Sequence, residues 1–305
     1  MSKTDKQIEN YLQSLKSALS GTDKAVVQDA LSDAEEHLRA AFHTEMDRSP
    51  QEAKDEVLEK IIADYGSPQE VAQAYRSWES DLPPTLAPTA QDPPRKQPEV
   101  DPRAQGFFGV FADPRAWGGV VYMLISLVTG TLYFSWAVAG LSTSLGVMIL
   151  IIGIPVTILF LLSVRGLAFL EGRLVEALLG ERMPHRPAFT DPHQSWTARL
   201  KQLLLGKSTW LALLYMVLML PLGVTYFSVM VTVLALSAGL IAAPVLDLGF
   251  GIPVVNLGST VYHIPLYQVP FFILGGVLLA TAVFHMARWT GRLHGKLAKT
   301  LLVKD

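Results

Sequence analysis

The 305-residue chain contains no cysteine. Disulfides, thiolate metal sites and thiol nucleophiles are therefore all excluded. Charge is also scarce: Asp, Glu, Lys and Arg make up 17% of the residues, against 50% that are hydrophobic. That balance belongs to a membrane protein with a soluble appendage. No basic segment followed by an apolar one opens the chain, so no cleavable signal peptide is expected. Residues 1–80 are poor in cations, with 9 Lys and Arg against 16 Asp and Glu. This acidic excess argues against direct nucleic-acid binding, because phosphate contacts draw on Lys and Arg.

What the chain has in quantity is long uncharged runs, and they repeat. At an offset of 93, Trp117/Trp210, Tyr122/Tyr215, Met123/Met216, Leu127/Leu220, Gly130/Gly223, Tyr133/Tyr226, Phe134/Phe227, Ser135/Ser228 and Leu141/Leu234 are identical. Each copy opens a run long enough for a bilayer, which takes about 20 apolar residues. Four spans are expected, near 117–140, 145–164, 210–232 and 266–286. Neither the turn after the first span nor the stretch 242–262 holds a Lys or Arg. Arg165, Arg173, Arg182, Arg186 and Arg199 crowd the central loop, and Arg288, Arg292, Lys296 and Lys299 follow the last span. The positive-inside rule then places both termini and the central loop in the cytoplasm.

Residues 1–80 read as a compact helical module. Ile8, Tyr11, Leu12, Leu15 and Leu19 form one stripe, and Val27, Leu31, Ala34, Leu38 and Phe42 form another. Two Ser-Pro-Gln-Glu sequences, at 49–52 and 67–70, each offer an N-cap Ser, a Pro at the first helical position and a capping-box Glu. Glu35, Glu36, His37 and His43 suggest a metal cluster, but His37 and His43 are six apart and face different sides of the helix, so Glu35, Glu36 and His37 are expected to contact a protein partner. Residues 81–113 are rich in proline and read as a semi-rigid linker.

Within the membrane part, 114–305, no span is expected to hold a central charge. Segments 165–180 and 195–206 alternate apolar with charged residues and suit helices lying in the headgroup plane, so membrane lipid is an expected partner. Tyr133, Phe134, Tyr226 and Phe227 read either as packing or as the lining of a pocket for an apolar ligand. The outer stretch 245–262 is broken by Gly and Pro and reads as a short extracytoplasmic β-hairpin or a re-entrant cap. Its polar groups, Asp247, Asn256 and the adjacent His263, join the candidate ligand-binding residues.

Two resemblances add to this reading. The order Tyr11-Leu12, then Asp33-Ala34-Glu35-Glu36-His37-Leu38, then Tyr65-Gly66-Ser67-Pro68-Gln69-Glu70 resembles the HAAS-type helical signalling domain of bacteria. That resemblance implies a link to PadR-like transcription regulators or histidine-kinase systems. Trp117-Gly118-Gly119, Gly130, Tyr133-Phe134-Ser135, Gly153-Ile154-Pro155, Arg165-Gly166-Leu167 and Glu171-Gly172-Arg173-Leu174 are similar to the sensor domain found ahead of actinobacterial histidine kinases. That family carries no assigned ligand. No kinase module is read up to Asp305, so output is expected to pass through a partner.

The expected fold is all-α: a small helical domain followed by four spans built as two repeated hairpins. The expected function is that of a non-catalytic bacterial inner-membrane sensor or regulator. It needs no cofactor, passes a cue to a PadR-like regulator or a histidine kinase, and can form homo-oligomers. The rival readings are a small transporter and a membrane-embedded enzyme.

Overall fold

The computed structural model describes residues 3–48, 53–81, 106–147, 153–185, 201, 203–253, 255–257 and 260–303. Helices dominate them, and the all-α class holds. The head comprises α1 (Lys3–Ala18), α2 (Lys24–Arg48), α3 (Lys54–Tyr65) and α4 (Pro68–Asp81). The predicted stripes meet: Ile8, Tyr11, Leu15 and Leu19 pack against Ala30, Ala34, Leu38, Leu58 and Ala72. The second capping box forms as its sequence requires. The Ser67 N–H and hydroxyl donate to Glu70 Oε2 at 2.9 and 2.7 Å. The Glu70 N–H donates back to the Ser67 hydroxyl at 3.3 Å. The first Ser-Pro-Gln-Glu box, most of the proline-rich linker and most of segment 195–206 lie outside the described residues.

Four further helices are each long and apolar enough to cross a membrane: α5 (Pro114–Val147), α6 (Gly153–Leu179), α7 (Lys207–Phe250) and α8 (Val269–Leu302). Only 22–28% of each helix's most apolar window is buried against protein, so most of its apolar surface must find another nonpolar medium. Helix α5 packs along α7, α7 along α8, and α5 along α6.

Residues related by the repeat make equivalent contacts. A Cβ placed on Gly130 would run into the Met219 carbonyl, and one on Gly223 into the Ser126 carbonyl. Met219 and Ser126 are themselves 93 residues apart. The two glycines thus let α5 and α7 cross backbone to backbone, the use small residues have in membrane helix pairs. Likewise Trp117 Nε1 donates to the Phe111 carbonyl and Trp210 Nε1 to the Leu204 carbonyl, each at 2.8 Å.

Two expectations need correction. Segment 165–180 is not a separate helix in the headgroup plane: through Leu179 it continues α6 as one unbroken helix, with Glu171 turned into the bundle. The helices also run beyond the predicted span limits, and α7 passes through Pro244 to Phe250, so the break expected from residue 245 begins only at Gly251. There the Gly251 N–H caps the helix on the Asp247 carbonyl, with φ at +63°. Beyond it, β1 (Val255–Leu257) and β2 (Thr260–Tyr262) pair antiparallel, with Asn256 opposite Val261.

Candidate functional site

The repeat delivers four tyrosines to one buried place. Tyr122 and Tyr133 stand three turns apart on α5, and Tyr215 and Tyr226 occupy the equivalent positions on α7. Between them sit two ionisable side chains that are 1% exposed, Glu171 from α6 and His294 from α8. The Tyr122 and Tyr215 hydroxyls donate to Glu171 Oε1 at 2.6 and 2.8 Å, and the Tyr133 hydroxyl donates to Oε2 at 2.9 Å. His294 Nε2 reaches the oxygens of Tyr122 and Tyr215 at 2.6 and 2.9 Å, and its Nδ1 lies 3.4 Å from the Tyr226 hydroxyl.

The donors and acceptors balance. With His294 assigned the Nε2–H tautomer, three tyrosine protons go to the carboxylate, the fourth points to Nδ1, and the Nε2 proton is shared between two phenol oxygens. Such a network favours one helix arrangement, because any shift that breaks it strands a polar group in apolar surroundings, at about 1–3 kcal/mol each. Tyr122 and Tyr215 are themselves 1% exposed, Tyr133 is buried and Tyr226 is half-buried.

The expectation that Glu171 lies outside the spans therefore fails, since α6 runs on through Leu179 and buries it. It rests on placing Glu171 on an interfacial helix, where a carboxylate would face water. A sequence signal was present. At an offset of 123, Gly153/Gly276, Arg165/Arg288, Gly172/Gly295, Leu174/Leu297, Leu178/Leu301 and Leu179/Leu302 are identical, which puts Glu171 and His294 in register. The longer connection in the second hairpin changes the offset from 93 to 123 and hides this half of the repeat.

Helices α6 and α8 lead from the cluster to the head. Five residues beyond Glu171, Glu176 accepts from Arg173 Nη1 at 2.6 Å and lies 3.1 Å from His185 Nε2. The His185 N–H is held by both carboxylate oxygens of Asp29 on α2, at 2.9 and 3.0 Å. Five residues beyond His294, Lys299 donates to Asp23 at the start of α2. Glu176 and Lys299 are again 123 apart.

The other predicted residues scatter. Phe134 and Phe227 are half-buried on α5 and α7, outside the polar network. Asp247 is buried at the far end, where it lies 2.7 Å from His263 Nδ1 and accepts the Ile264 N–H at 2.5 Å, tying the segment before α8 to α7. Asn256 lies in β1. In the head, Glu35 pairs with Arg39 at 3.1 Å, Glu36 is exposed, and the His37 ring lies 4.8 Å from that of Tyr65.

Two family models match the chain in this order: HAAS over residues 10–74, and Sensor, described as "Putative sensor", over residues 122–302. No curated protein and no solved structure matches it. The two families are of non-catalytic kinds, and the HAAS domain is generally associated with partner interaction. The Sensor match spans more than half of the chain and contains all six residues of the buried cluster, so this membrane protein, with its HAAS head, belongs to the Sensor family.

Proposed function

We propose that the chain is a bacterial inner-membrane sensor that regulates a cytoplasmic partner through residues 1–80, with both termini in the cytoplasm, and that it is not an enzyme. The observation that carries this reading is the placement of Glu171 and His294 on the two helices that touch the head five residues further on, at Glu176 through His185 and at Lys299. A change in the packing of the tyrosine cluster shifts α6 against α8, and the head moves between two seatings on their ends. A cue acts only by binding one arrangement better than the other. The cue binds at the far end, at Asp247, Asn256 and His263, whereas Phe134 and Phe227 lie on separate stretches of the helix faces. Tyr133 and Tyr226 pass its effect to Glu171 and His294.

The output surface is the face of α2 that carries Glu35, Glu36 and His37, which lies beyond Asp29 on the same helix. It takes a PadR-like regulator or a histidine kinase. The test is affinity isolation from native membranes with three chains: full-length, lacking residues 1–80, and Glu171→Gln. A regulator or kinase held by the full chain, lost with the head and held in a different amount by Glu171→Gln supports the reading. Identical captured proteins in all three contradict it.

A further inference from the structure

At the end of the bundle nearest the head, Arg115 from the first turn of α5 and Arg288, Arg292 and Lys296 from α8 line a notch of about 100 Å³, with Glu181 on its rim. That is several times the room a single water needs, and enough for a phosphate group. The three α8 cations are spaced i, i+4, i+8 and share one helix face, where like charges repel. Asp113 answers Arg288 at 3.2 Å. Among the described residues, Arg115, Arg292 and Lys296 have no side-chain hydrogen bond or ion pair. Four cations against two carboxylates leave two positive charges unmatched, an arrangement that costs the fold energy and suits an anion.

The depth of the notch identifies the anion. Trp117, two residues after Arg115, and Trp289, next to Arg288, are 51% and 62% exposed on the outer face of the bundle. Exposed indole rings on membrane helices sit at headgroup level. We infer that the notch binds the phosphate of an anionic phospholipid headgroup. Arg292 and Lys296 flank His294 on α8, so an occupied notch bears on the helix that carries half of the buried cluster. The inference rests on the bundle lying in a membrane and does not depend on what the head binds.

The test uses the full chain in detergent, with phosphatidylglycerol and phosphatidylcholine as probes and intact-protein mass spectrometry counting retained lipid. Phosphatidylglycerol is expected to be retained over phosphatidylcholine, and inorganic phosphate in excess is expected not to displace it. The double variant Arg292→Gln/Lys296→Gln is expected to lose that retention by about tenfold or more, the effect of two interfacial cations. The swap Arg292→Lys/Lys296→Arg keeps the charge and is expected to keep the lipid, which separates charge from folding. Equal retention by wild type and the double Gln variant would overturn the site. Displacement by inorganic phosphate would overturn its assignment to lipid in favour of a soluble anion.

Discussion

Glu171 and His294 occupy equivalent positions on α6 and α8 and share the hydroxyls of Tyr122 and Tyr215 between them. An acid and a base thus stand where the repeat would otherwise place two copies of one residue. Two identical charges at that separation would repel inside the bundle, whereas an acceptor facing a donor closes the network. The pairing makes the arrangement of the two hairpins specific, and it joins the helices that reach the head.

Tyr133 and Glu171 are expected to be energetically coupled. Tyr133→Phe removes one of three donors to the carboxylate and is expected to cost about 1 kcal/mol. Glu171→Gln keeps the shape but turns a donor toward phenol hydrogens, at about 1–3 kcal/mol. The double variant is expected to fall short of the sum by at least about 0.5 kcal/mol. Reversible unfolding in detergent, followed by tryptophan fluorescence, checks all three.

Gly130→Ala and Gly223→Ala are expected to destabilise the bundle alike. Each Cβ meets a carbonyl of the facing helix, an overpacking that costs about 1–3 kcal/mol. Gly166→Ala, where a Cβ meets nothing within 4 Å, is the control and is expected to be neutral or slightly stabilising. Thermal unfolding of the detergent-solubilised chain separates the two cases.

The head is expected to lose stability at both ends of the pH scale. The hydroxyl and N–H of Ser67 hold the Glu70 carboxyl below its ordinary value of 4.5. The contribution is present above that value and is lost as pH falls through the lowered folded one. Burial pushes the Tyr11 phenol up from 10.0 to about 12, so its contribution is present below 10.0 and fades as pH rises toward about 12. Ser67→Ala is expected to flatten the acid side and Tyr11→Phe the alkaline side. The Tyr11 change also costs about 1 kcal/mol at neutral pH, because the phenol donates to the Gly66 carbonyl at 2.9 Å. Denaturant unfolding across pH measures each.

The parts of the structure governed by local periodicity were legible in the sequence. The stripe from Ile8 to Leu19 became a core face, Ser67 and Glu70 became a capping box, and the first half of the repeat placed Gly130 and Gly223 at a crossing. Glu171 was not legible, because a carboxylate among leucines and arginines has the pattern of a surface helix. Only its long-range alignment with His294 distinguishes the buried case. His185 was equally hidden: its tie to Asp29 uses a backbone N–H, which every residue but proline carries and no motif marks.

Docking of the head is expected to depend on Asp29. Asp29→Ala leaves the His185 N–H without its carboxylate, and a hydrogen bond to a charged group contributes about 1.5–3 kcal/mol. Lys299→Gln is expected to act in the same direction with a smaller effect, and added salt to weaken this contact in the wild type. Hydrogen exchange at the start of α2 reports both.

The central claim is that the state of the buried cluster sets the seating of the head. A chain without cysteine makes the most direct measurement simple, since spin labels at Lys60→Cys on α3 and Leu293→Cys on α8 have no competing thiols. Pulsed electron-spin distances are compared in wild type, Asp29→Ala and Glu171→Gln. The account predicts that Glu171→Gln, buried in the bundle and away from the head, shifts or broadens the distance distribution as Asp29→Ala does. A Glu171→Gln distribution that superimposes on wild type while Asp29→Ala broadens would contradict it.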